Sequence, residues 1–383
     1  DLSSTLGDVT VGKITSDNVL FNGAKLKDNG TAGTITIDAS TGANFVATVN
    51  GGLGKDALTV KGSATTETIK IAGDLGLGGT TPADQKLTLD LDASTKLSSL
   101  DISGLKGLGA ATAIDLKNVV VDNKLIVDIK GNDAAETITV ATPTATLTEI
   151  KLSGDLDGGE NTYDITPVDS AIALKNIDLS GLSATGGTLE GTITLDSTHT
   201  KVSSIKGSAG KDTVDMSALL AATGKVAIDL GAGDDEILIG KLQEGNAKQI
   251  TITGGEGNDT FNLTAAVVSA AAKADFTTIT DFSAGDTIKL AAATTKYVNT
   301  AITQPNGTLQ EVIVAMLSAA NGGNGGEVKT VYGFTWNTDN YLFYNTTANG
   351  KAIASTDVLV KLAGTTVDLD SLTVINNDIV FTS

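Results

Sequence analysis

Apolar and polar residues alternate in short segments along most of the chain. The alternation is clearest at residues 34–38, 87–91, 125–129, 226–230 and 250–253, which are rich in Val, Ile and Thr. Clusters of Gly, Asn, Asp or Ser separate many of these segments, and only 4 prolines interrupt the whole chain. A two-residue period bounded by turn-forming residues is typical of β-strands. The pattern therefore predicts an all-β chain of short strands joined by turns.

A loose repeat organises these strands. Its unit is a glycine followed five residues later by an acidic residue, then a polar one and then an aliphatic or aromatic one. The acidic positions are Asp56, Glu67, Glu136, Asp212, Asp235 and Asp259. The last three lie 23 and 24 residues apart. A longer repeat relates residues 100–105 to residues 177–182.

A period near 23 residues predicts a parallel β-solenoid over residues 51–263. One repeat cannot bury its apolar face alone, so successive turns must stack and share one interior. Residues 1–50 either begin this solenoid or form a separate β segment. A pair of antiparallel β-sandwich domains is the alternative fold.

The sequence changes character after Leu263. Residues 264–274 are rich in Ala and Val and predict a short helix, and residues 309–317 have the apolar spacing of an amphipathic helix. The glycine-rich residues 321–326 predict a flexible loop. Most aromatic residues follow, where segments 331–336 and 341–345 predict a β-hairpin. We interpret residues 264–383 as a C-terminal β-rich domain with one or two short helices that caps the solenoid. A surface that stacks carbohydrate on its aromatic rings is the alternative.

Charge and composition exclude several classes of protein. The 26 cationic residues, all lysine, are outnumbered by 45 acidic ones, which gives a net charge of −19. This balance argues against nucleic acid as a partner and favours hard cations, above all calcium, which binds carboxylate and carbonyl oxygens. The chain has no cysteine and a single histidine, His199, in a polar stretch that predicts a surface turn. Disulfides, thiol catalysis, Cys-ligated metals and His-rich metal sites are therefore excluded.

A nonapeptide motif carries the candidate chemistry. Residues 254–262 and 51–59 match the pattern Gly-Gly-x-Gly-x-Asp-x-U-x at every specified position, where U is aliphatic or aromatic. Residues 230–238 lack only the first glycine, and residues 207–215 are a degraded copy. The glycines let the turn adopt positive φ and direct carbonyl oxygens inward, the aspartate supplies a charged oxygen, and the U residue anchors the turn in the core.

The predicted metal ligands follow from this motif. One turn offers too few oxygens for calcium, which takes about six to eight, whereas two stacked turns offer enough. Asp212, Asp235 and Asp259 lie one coil apart, and we expect them to form a column with calcium ions between neighbouring turns. The full set of expected ligands is Asp56, Asp212, Gly231, Gly233, Asp234, Asp235, Gly255, Gly257, Asn258 and Asp259.

The motif resembles the RTX repeats of proteins that Gram-negative bacteria export by type I secretion. RTX motifs typically follow each other every nine residues or so, whereas here they occur once per longer coil, which implies one calcium column on one edge. Residues 279–290 are similar to the segment that closes an RTX array, and the resemblance implies that Asp281 and Asp286 complete a last calcium site. Residues 374–383 resemble the uncleaved C-terminal signal of type I substrates, which explains why no N-terminal signal is visible.

Within that group, the composition resembles that of surface-layer (S-layer) proteins, which are acidic, free of cysteine and poor in aromatic residues. Aromatic residues make up 4% of this chain. The resemblance implies a secreted, non-enzymatic protein that forms a calcium-dependent two-dimensional lattice on the bacterial cell surface, with copies of itself and the type I secretion machinery as partners. It also implies that this chain is the C-terminal portion and that a lipopolysaccharide-binding region lies outside it.

Two other functions are alternatives. A polysaccharide-acting enzyme on a β-solenoid needs a base and cations in a cleft, and a chain with no arginine and one histidine lacks the usual residues. A secreted RTX adhesin is the second alternative. Thr-x-Thr steps occur at 34/36, 137/139, 192/194 and 251/253, but they are not spaced by one coil, so we do not expect them to line one face.

Overall fold

The computed structural model describes residues 9–11, 18–21, 34–38, 44–50, 57–62, 65–74, 86–90, 99–106, 111–116, 124–130, 135–140, 147–156, 158–167, 173–219, 225–240, 249–264, 276–290, 294–302, 306–354, 356–363 and 367–381. The strands in these residues are β1 (Val9–Val11), β2 (Asn18–Phe21), β3 (Thr34–Asp38), β4 (Asn44–Asn50), β5 (Ala57–Lys61), β6 (Thr68–Asp74), β7 (Lys86–Asp90), β8 (Ser99–Lys106), β9 (Ala111–Leu116), β10 (Lys124–Lys130), β11 (Ala135–Val140), β12 (Glu149–Asp155), β13 (Glu160–Ile165), β14 (Asn176–Ser183), β15 (Thr188–Thr194), β16 (Ser204–Lys206), β17 (Lys211–Met216), β18 (Lys225–Asp229), β19 (Glu236–Ile239), β20 (Gln249–Thr253), β21 (Thr260–Asn262), β22 (Phe276–Ile279), β23 (Thr287–Lys289), β24 (Lys296–Asn299), β25 (Thr330–Trp336), β26 (Asp339–Asn345), β27 (Val358–Leu362), β28 (Leu372–Ile375) and β29 (Asp378–Phe381). One helix, α1 (Leu309–Gly323), and a 3-10 turn (Leu369–Ser371) complete the described elements.

The chain divides into two compact units. The first comprises Asp1–Thr194 with Ser208–Gly210, and the second comprises Leu195–Gly207 with Lys211–Ser383. Strands β1 to β15 belong to the first unit, and the remaining strands and α1 belong to the second. The division into residues 1–50, 51–263 and 264–383 stays a prediction.

Successive strands of the first unit alternate between two parallel sheets. The odd-numbered strands pair in the order β1-β3-β5-β7-β9-β11-β13-β15, and the even-numbered strands in the order β2-β4-β6-β8-β10-β12-β14. Each strand therefore lies beside the strand of the next coil, which is the predicted parallel β-solenoid, and the antiparallel sandwich is wrong. Because β2 pairs with β4 and β4 pairs with β6, the strands before residue 51 begin the same solenoid.

Aliphatic side chains that point inward form the core of the first unit. Val140, Ile165 and Ile193 occupy matching positions on β11, β13 and β15, and all three are fully buried. Burying a side chain of this size contributes about 1.5–3 kcal/mol. The larger Tyr163 fits because the next strand carries Gly191 at the paired position, where a Cβ would lie 2.1 Å from the tyrosine ring.

The longer sequence repeat of the first unit is also a structural repeat. Residues 100–105 lie in β8, whose pairing with β6 shifts register between Lys70 and Ala72. Residues 177–182 lie in β14, whose pairing with β12 shifts register between Lys151 and Ser153. The same sequence therefore produces the same β-bulge twice, and a bulge of this kind bends the strand and increases its twist.

The second unit ends in strands that run in the opposite direction. Strands β17-β19-β21-β23 and β16-β18-β20-β22 form parallel ladders. Then β27 pairs with β22, β26 runs antiparallel to β27, and β29 runs antiparallel to β23. These strands cap the parallel stack, as predicted for the C-terminal region. The segment that resembles a secretion signal forms part of the β28–β29 hairpin, and its role in export stays a prediction.

Helix α1 begins at a capping box. The Oγ1 of Thr308 accepts the N–H of Glu311 at 3.3 Å, and the Glu311 carboxylate accepts the N–H of Thr308 at 2.8 Å. Regular helical geometry ends before Ala320, which has a ψ of 152°, and Asn321, which has a φ of 51°. The amphipathic helix predicted at residues 309–317 is confirmed. The helix predicted at residues 264–274 lies, apart from its first residue, outside the described residues.

The predicted aromatic hairpin is confirmed as β25 and β26, which pair antiparallel. Both residues of its turn, 337–338, have positive φ, of 48° and 71°, as a type I′ turn requires. Tyr332, Phe334, Tyr341 and Phe343 pack against α1 in one apolar cluster and are at most 3% exposed. Because these rings are buried in the core of the cap, the alternative of a carbohydrate-stacking surface is wrong.

Candidate metal centre

Two stacked turns of the second unit carry the nonapeptide motif. One turn links β18 to β19, and the other, 24 residues later, links β20 to β21. Gly231 and Gly233 of the first turn have φ of 101° and 137°, and Gly255 and Gly257 of the second have φ of 104° and 132°. Residues with a side chain rarely adopt these conformations, which explains why the motif needs glycine at these positions.

Backbone hydrogen bonds join the two turns directly. The N–H of Gly233 donates to the carbonyl of Glu256 at 2.8 Å, and the N–H of Glu256 donates to the carbonyl of Gly231 at 3.0 Å. A Cβ at Gly255 would lie 1.9 Å from the Gly231 carbonyl oxygen. The turns therefore stack more closely than any side chain at position 255 would permit.

Replacing Gly255 with alanine is expected to destabilise the second unit by about 2–4 kcal/mol, because strain at positive φ adds to the clash with the neighbouring carbonyl. The matched control is Gly323→Ala, since Gly323 has a φ of 89° but a Cβ there meets no atom within 4 Å. The control should cost only the backbone strain, about 1–2 kcal/mol. Urea denaturation followed by circular dichroism measures both losses, and equal losses would contradict the close stacking.

Four buried aspartates form a column beside these turns. They are Asp212, Asp235, Asp259 and Asp286, each at most 3% exposed. The N–H of Asp212 donates to Oδ1 of Asp235 at 2.7 Å, that of Asp235 to Oδ1 of Asp259 at 3.0 Å, and that of Asp259 to Oδ1 of Asp286 at 2.9 Å. Each carboxylate therefore holds the backbone of the preceding coil. We name this set the aspartate column; it brings the three predicted residues together and adds Asp286 as the fourth.

The aspartate column ends in the turn before β23. The Oδ2 of Asp286 accepts the N–H of Ser283 from its own turn at 2.7 Å. Beside it, Phe282 packs edge-on against Phe261, with ring centroids 6.2 Å apart. Sequence reasoning missed both contacts. The available signals were a serine three residues before an aspartate, a common turn pairing, and a phenylalanine directly after Asp281.

The other predicted acidic ligands lie beside the aspartate column, where they hold turn backbone. The two carboxylate oxygens of Asp281 accept the N–H groups of Gly254 at 2.9 Å and Gly255 at 2.8 Å. The Oδ1 of Asp234 accepts the N–H of Asn258 at 2.8 Å. Asp281, Asp234 and Asn258 therefore join one coil to the next, but they do not line up with the four column residues.

Burial raises the pKa of the column carboxyls. The pKa of Asp235 rises from 3.8 to about 8, first because burial disfavours the charged form and further because the neighbouring carboxylates are negative; the N–H of Asp212 opposes the rise. The pKa of Asp259 rises to about 6, and that of Asp286 also rises, both chiefly through burial. None of the neighbouring charges that act on Asp235 and Asp259 is positive.

The aspartate column fits a hard divalent cation in charge and in ligand chemistry. The Oδ2 of Asp235 is buried and has no hydrogen-bond partner among the described residues, which is costly for a carboxylate. Carboxylate and carbonyl oxygens are the ligands that calcium takes. The residues that would hold the ion are Asp235 and Asp259 with carbonyl groups of the glycine turns. Across the part of the chain that the structure describes, no three His, Cys, Asp or Glu side chains gather as a metal site, so carbonyl oxygens would have to complete the coordination.

The two remaining motif copies differ in what can be said of them. Asp56 and residues 51–55 lie outside the described residues, and β5 begins directly after them. In the degraded copy, a Cβ at Gly207 would lie 2.2 Å from Oδ2 of Asp212 and 2.0 Å from the carbonyl oxygen of Leu230. This copy has lost most of its glycines but keeps the one that makes room for the aspartate.

His199 is buried, so the predicted surface position is wrong. The residue does lie in a turn after β15, but its side chain is 0% exposed. Its Nδ1 lies 2.9 Å from Oδ1 of Asp196, and its Nε2 has no hydrogen-bond partner within the described ranges. The same Asp196 oxygen accepts the N–H of Thr198 at 2.8 Å. This bond folds the polar stretch back on itself and turns the imidazole inward.

The threonines of the first unit do stack on one sheet, contrary to the sequence expectation. Thr36, Thr59, Thr88, Asp115, Thr139, Asp164 and Thr192 occupy matching positions on seven consecutive odd-numbered strands. The expectation failed because the coils differ in length: paired residues are 24, 25 or 31 apart in chain number. Two carboxylates interrupt the column, so it is not a uniform threonine array.

No helix among the described residues is long and apolar enough to cross a membrane. Comparison of the chain with models of known protein families and with curated proteins finds no match. Function therefore has to be inferred from the aspartate column and its turns.

Proposed function

We propose that this protein is a calcium-stabilised structural protein that assembles with copies of itself into a two-dimensional lattice on a bacterial cell surface. The observation that supports it best is the aspartate column, in which four buried carboxylates lie one coil apart with backbone donors but no neighbouring positive charge on Asp235 or Asp259. A protein that carries its acidic groups inside, on stacked turns, is expected to need cations to fold firmly.

Calcium supplies the positive charge that the column lacks. Its binding would offset the repulsion between Asp235 and its acidic neighbours and give the unpartnered Oδ2 a ligand. Because the site forms only when consecutive coils stack, the free energy of binding adds to the free energy of folding. Calcium sites in extracellular proteins commonly have Kd values of about 0.1–1 mM. The chain would therefore stay loosely folded in the low calcium of the cytoplasm and become rigid after type I secretion.

A rigid solenoid suits a lattice subunit. Its parallel sheets fix the positions of exposed side chains relative to one another, so contacts between copies can repeat from one subunit to the next. When such contacts use two different surfaces of the chain, assembly propagates rather than closing into a dimer. The lipopolysaccharide anchor that the resemblance implies would lie outside this chain.

Electron microscopy of the purified chain tests the proposal. We expect ordered sheets after addition of millimolar calcium and none in excess chelator. The double variant Asp235→Asn/Asp259→Asn should give no sheets, because it keeps a hydrogen-bond acceptor at each position but removes two column charges. The matched control, Asp164→Asn, removes an exposed carboxylate of the first unit and should assemble normally. Sheets in chelator, or a chain that stays monomeric in calcium, would contradict the proposal.

A further inference from the structure

We propose that Asn321 is a site of spontaneous deamidation, in which the backbone nitrogen of Gly322 converts the asparagine to aspartate and isoaspartate. The site lies in the loop that joins α1 to β25, away from the aspartate column. Three observations lead to it: the conformation of the loop, the open space around Gly322, and the contrast with two other Asn-Gly pairs of the same unit.

The Asn321–Gly322 pair lies where the helix has already ended. Ala320 has a ψ of 152°, and Asn321 and Gly322 have left-handed φ of 51° and 66°. A helical hydrogen bond from the Gly322 amide to Ser318 would require both preceding residues to be helical, so these dihedral angles exclude it. Asn321 and the three residues after it are exposed, and a Cβ at Gly322 or Gly323 would meet no atom within 4 Å.

Two other Asn-Gly pairs in the second unit are held by their surroundings. The N–H of Gly325 donates to the carbonyl of Ala320 at 3.3 Å, and this glycine is buried. The N–H of Gly350 donates to the carbonyl of Thr347 at 3.3 Å, and its own carbonyl accepts the N–H of Gly326 at 2.8 Å.

A contact between these two loops adds to the restraint. The carbonyl oxygen of Asn349 lies 2.5 Å from where a Cβ of Gly325 would be. Rotation of the backbone at Asn324 or Asn349 would therefore break hydrogen bonds and close contacts, whereas the backbone at Asn321 is less restrained.

The chemistry needs only water. The amide nitrogen of Gly322 attacks Cγ of Asn321, the Cγ–Nδ2 bond breaks, and ammonia leaves with the proton that the nitrogen gives up. The product is a five-membered succinimide. Hydrolysis at one of its two carbonyl groups gives aspartate, and hydrolysis at the other gives isoaspartate. Glycine favours the first step because no side chain shields its nitrogen.

The product differs from the parent loop in charge and in backbone length. A carboxylate at position 321 would lie at the C-terminal end of α1, where negative charge is unfavourable, and in the same cleft as Glu327. Isoaspartate lengthens the backbone by one methylene. It would therefore disturb the bonds that the N–H and Nδ2 of Asn324 donate to the Asn321 carbonyl, at 3.3 Å and 2.9 Å.

Peptide mapping by mass spectrometry tests the proposal on the intact folded chain. After incubation at pH 7.4, Asn321 should deamidate about tenfold faster than Asn324 or Asn349, because each of those has at least one hydrogen bond that must open first. In the urea-unfolded chain the three rates should converge. A folded-state rate at Asn321 equal to or below that at Asn349 would overturn the proposal, as would a difference between the sites that persists in urea.

A variant separates this site from the rest of the chain. Asn321→Gln should abolish the acidic species that ion-exchange chromatography resolves from the incubated protein, because ring closure from glutamine is far slower. The acidic species should persist in the Asn349→Gln control. Acidic species that form equally in both variants would place the reaction elsewhere and refute the assignment to Asn321.

Discussion

Calcium at about 1,000 times its Kd is expected to stabilise the second unit by about 4 kcal/mol for each bound ion. For a unit of this size, each kcal/mol corresponds to about 2–4 °C, so one ion should raise the melting temperature by roughly 10 °C. The physical reason is that the buried carboxylates of Asp235 and Asp259 repel their acidic neighbours until a cation lies between them. Calorimetry in calcium and in excess chelator measures the difference.

The Asp235→Asn variant is the control for this effect. It keeps an oxygen that accepts the N–H of Asp212, but it removes one buried charge. In calcium we expect the variant to be less stable than the parent chain. In chelator at pH 9 we expect it to be more stable, because the parent then buries an unpaired carboxylate. A calcium response of equal size in both proteins would show that the ion binds elsewhere.

Without calcium, the stability of the second unit is expected to fall as the pH rises from about 4 to about 8. Unfolded aspartate titrates near 3.8, whereas in the folded chain the pKa of Asp235 is about 8 and that of Asp259 about 6. The folded state therefore binds more protons than the unfolded state throughout this window, and the free energy of unfolding decreases with pH. Each extra proton contributes a slope of about 1.4 kcal/mol per pH unit.

Urea denaturation at a series of pH values in chelator measures this slope. Both aspartates should contribute between about pH 4 and pH 6, and Asp235 alone between about pH 6 and pH 8. In Asp235→Asn the fall above pH 6 should disappear while the fall below pH 6 remains. Stability that rises with pH across this window would contradict the burial of charged groups in the aspartate column.

The strands and the solenoid could be predicted because their causes are local or periodic. Two-residue alternation marks each strand, and a repeat near 23 residues forces turns to stack, since no single turn buries its own apolar face. The hairpin of β25 and β26 and the helix at residues 309–317 followed from turn residues and helical spacing. The threonine column could not be found this way, because coils of 24 to 31 residues hide a register that becomes clear only when strands are paired.

The candidate site was predictable in its members but not in its contacts. The motif identified Asp212, Asp235 and Asp259 because their spacing matches one coil, and the resemblance added Asp286. Nothing in the chain indicates that each carboxylate holds the N–H of the preceding coil. That arrangement depends on the side-chain rotamer and on the small offset between stacked turns. Ser283 was missed for the same reason.

The sequence by itself determined the class of fold and the chemistry available to it: β-strands, glycine turns and excess carboxylates, with no thiol and one imidazole. Only the tertiary structure decided which of those groups are buried. His199 lies inside although its neighbours are polar, and Asp235 is buried with one unpartnered oxygen although it belongs to an acidic turn. Burial depends on which coil lies above and below each residue, and that is a property of stacking rather than of any local stretch of chain.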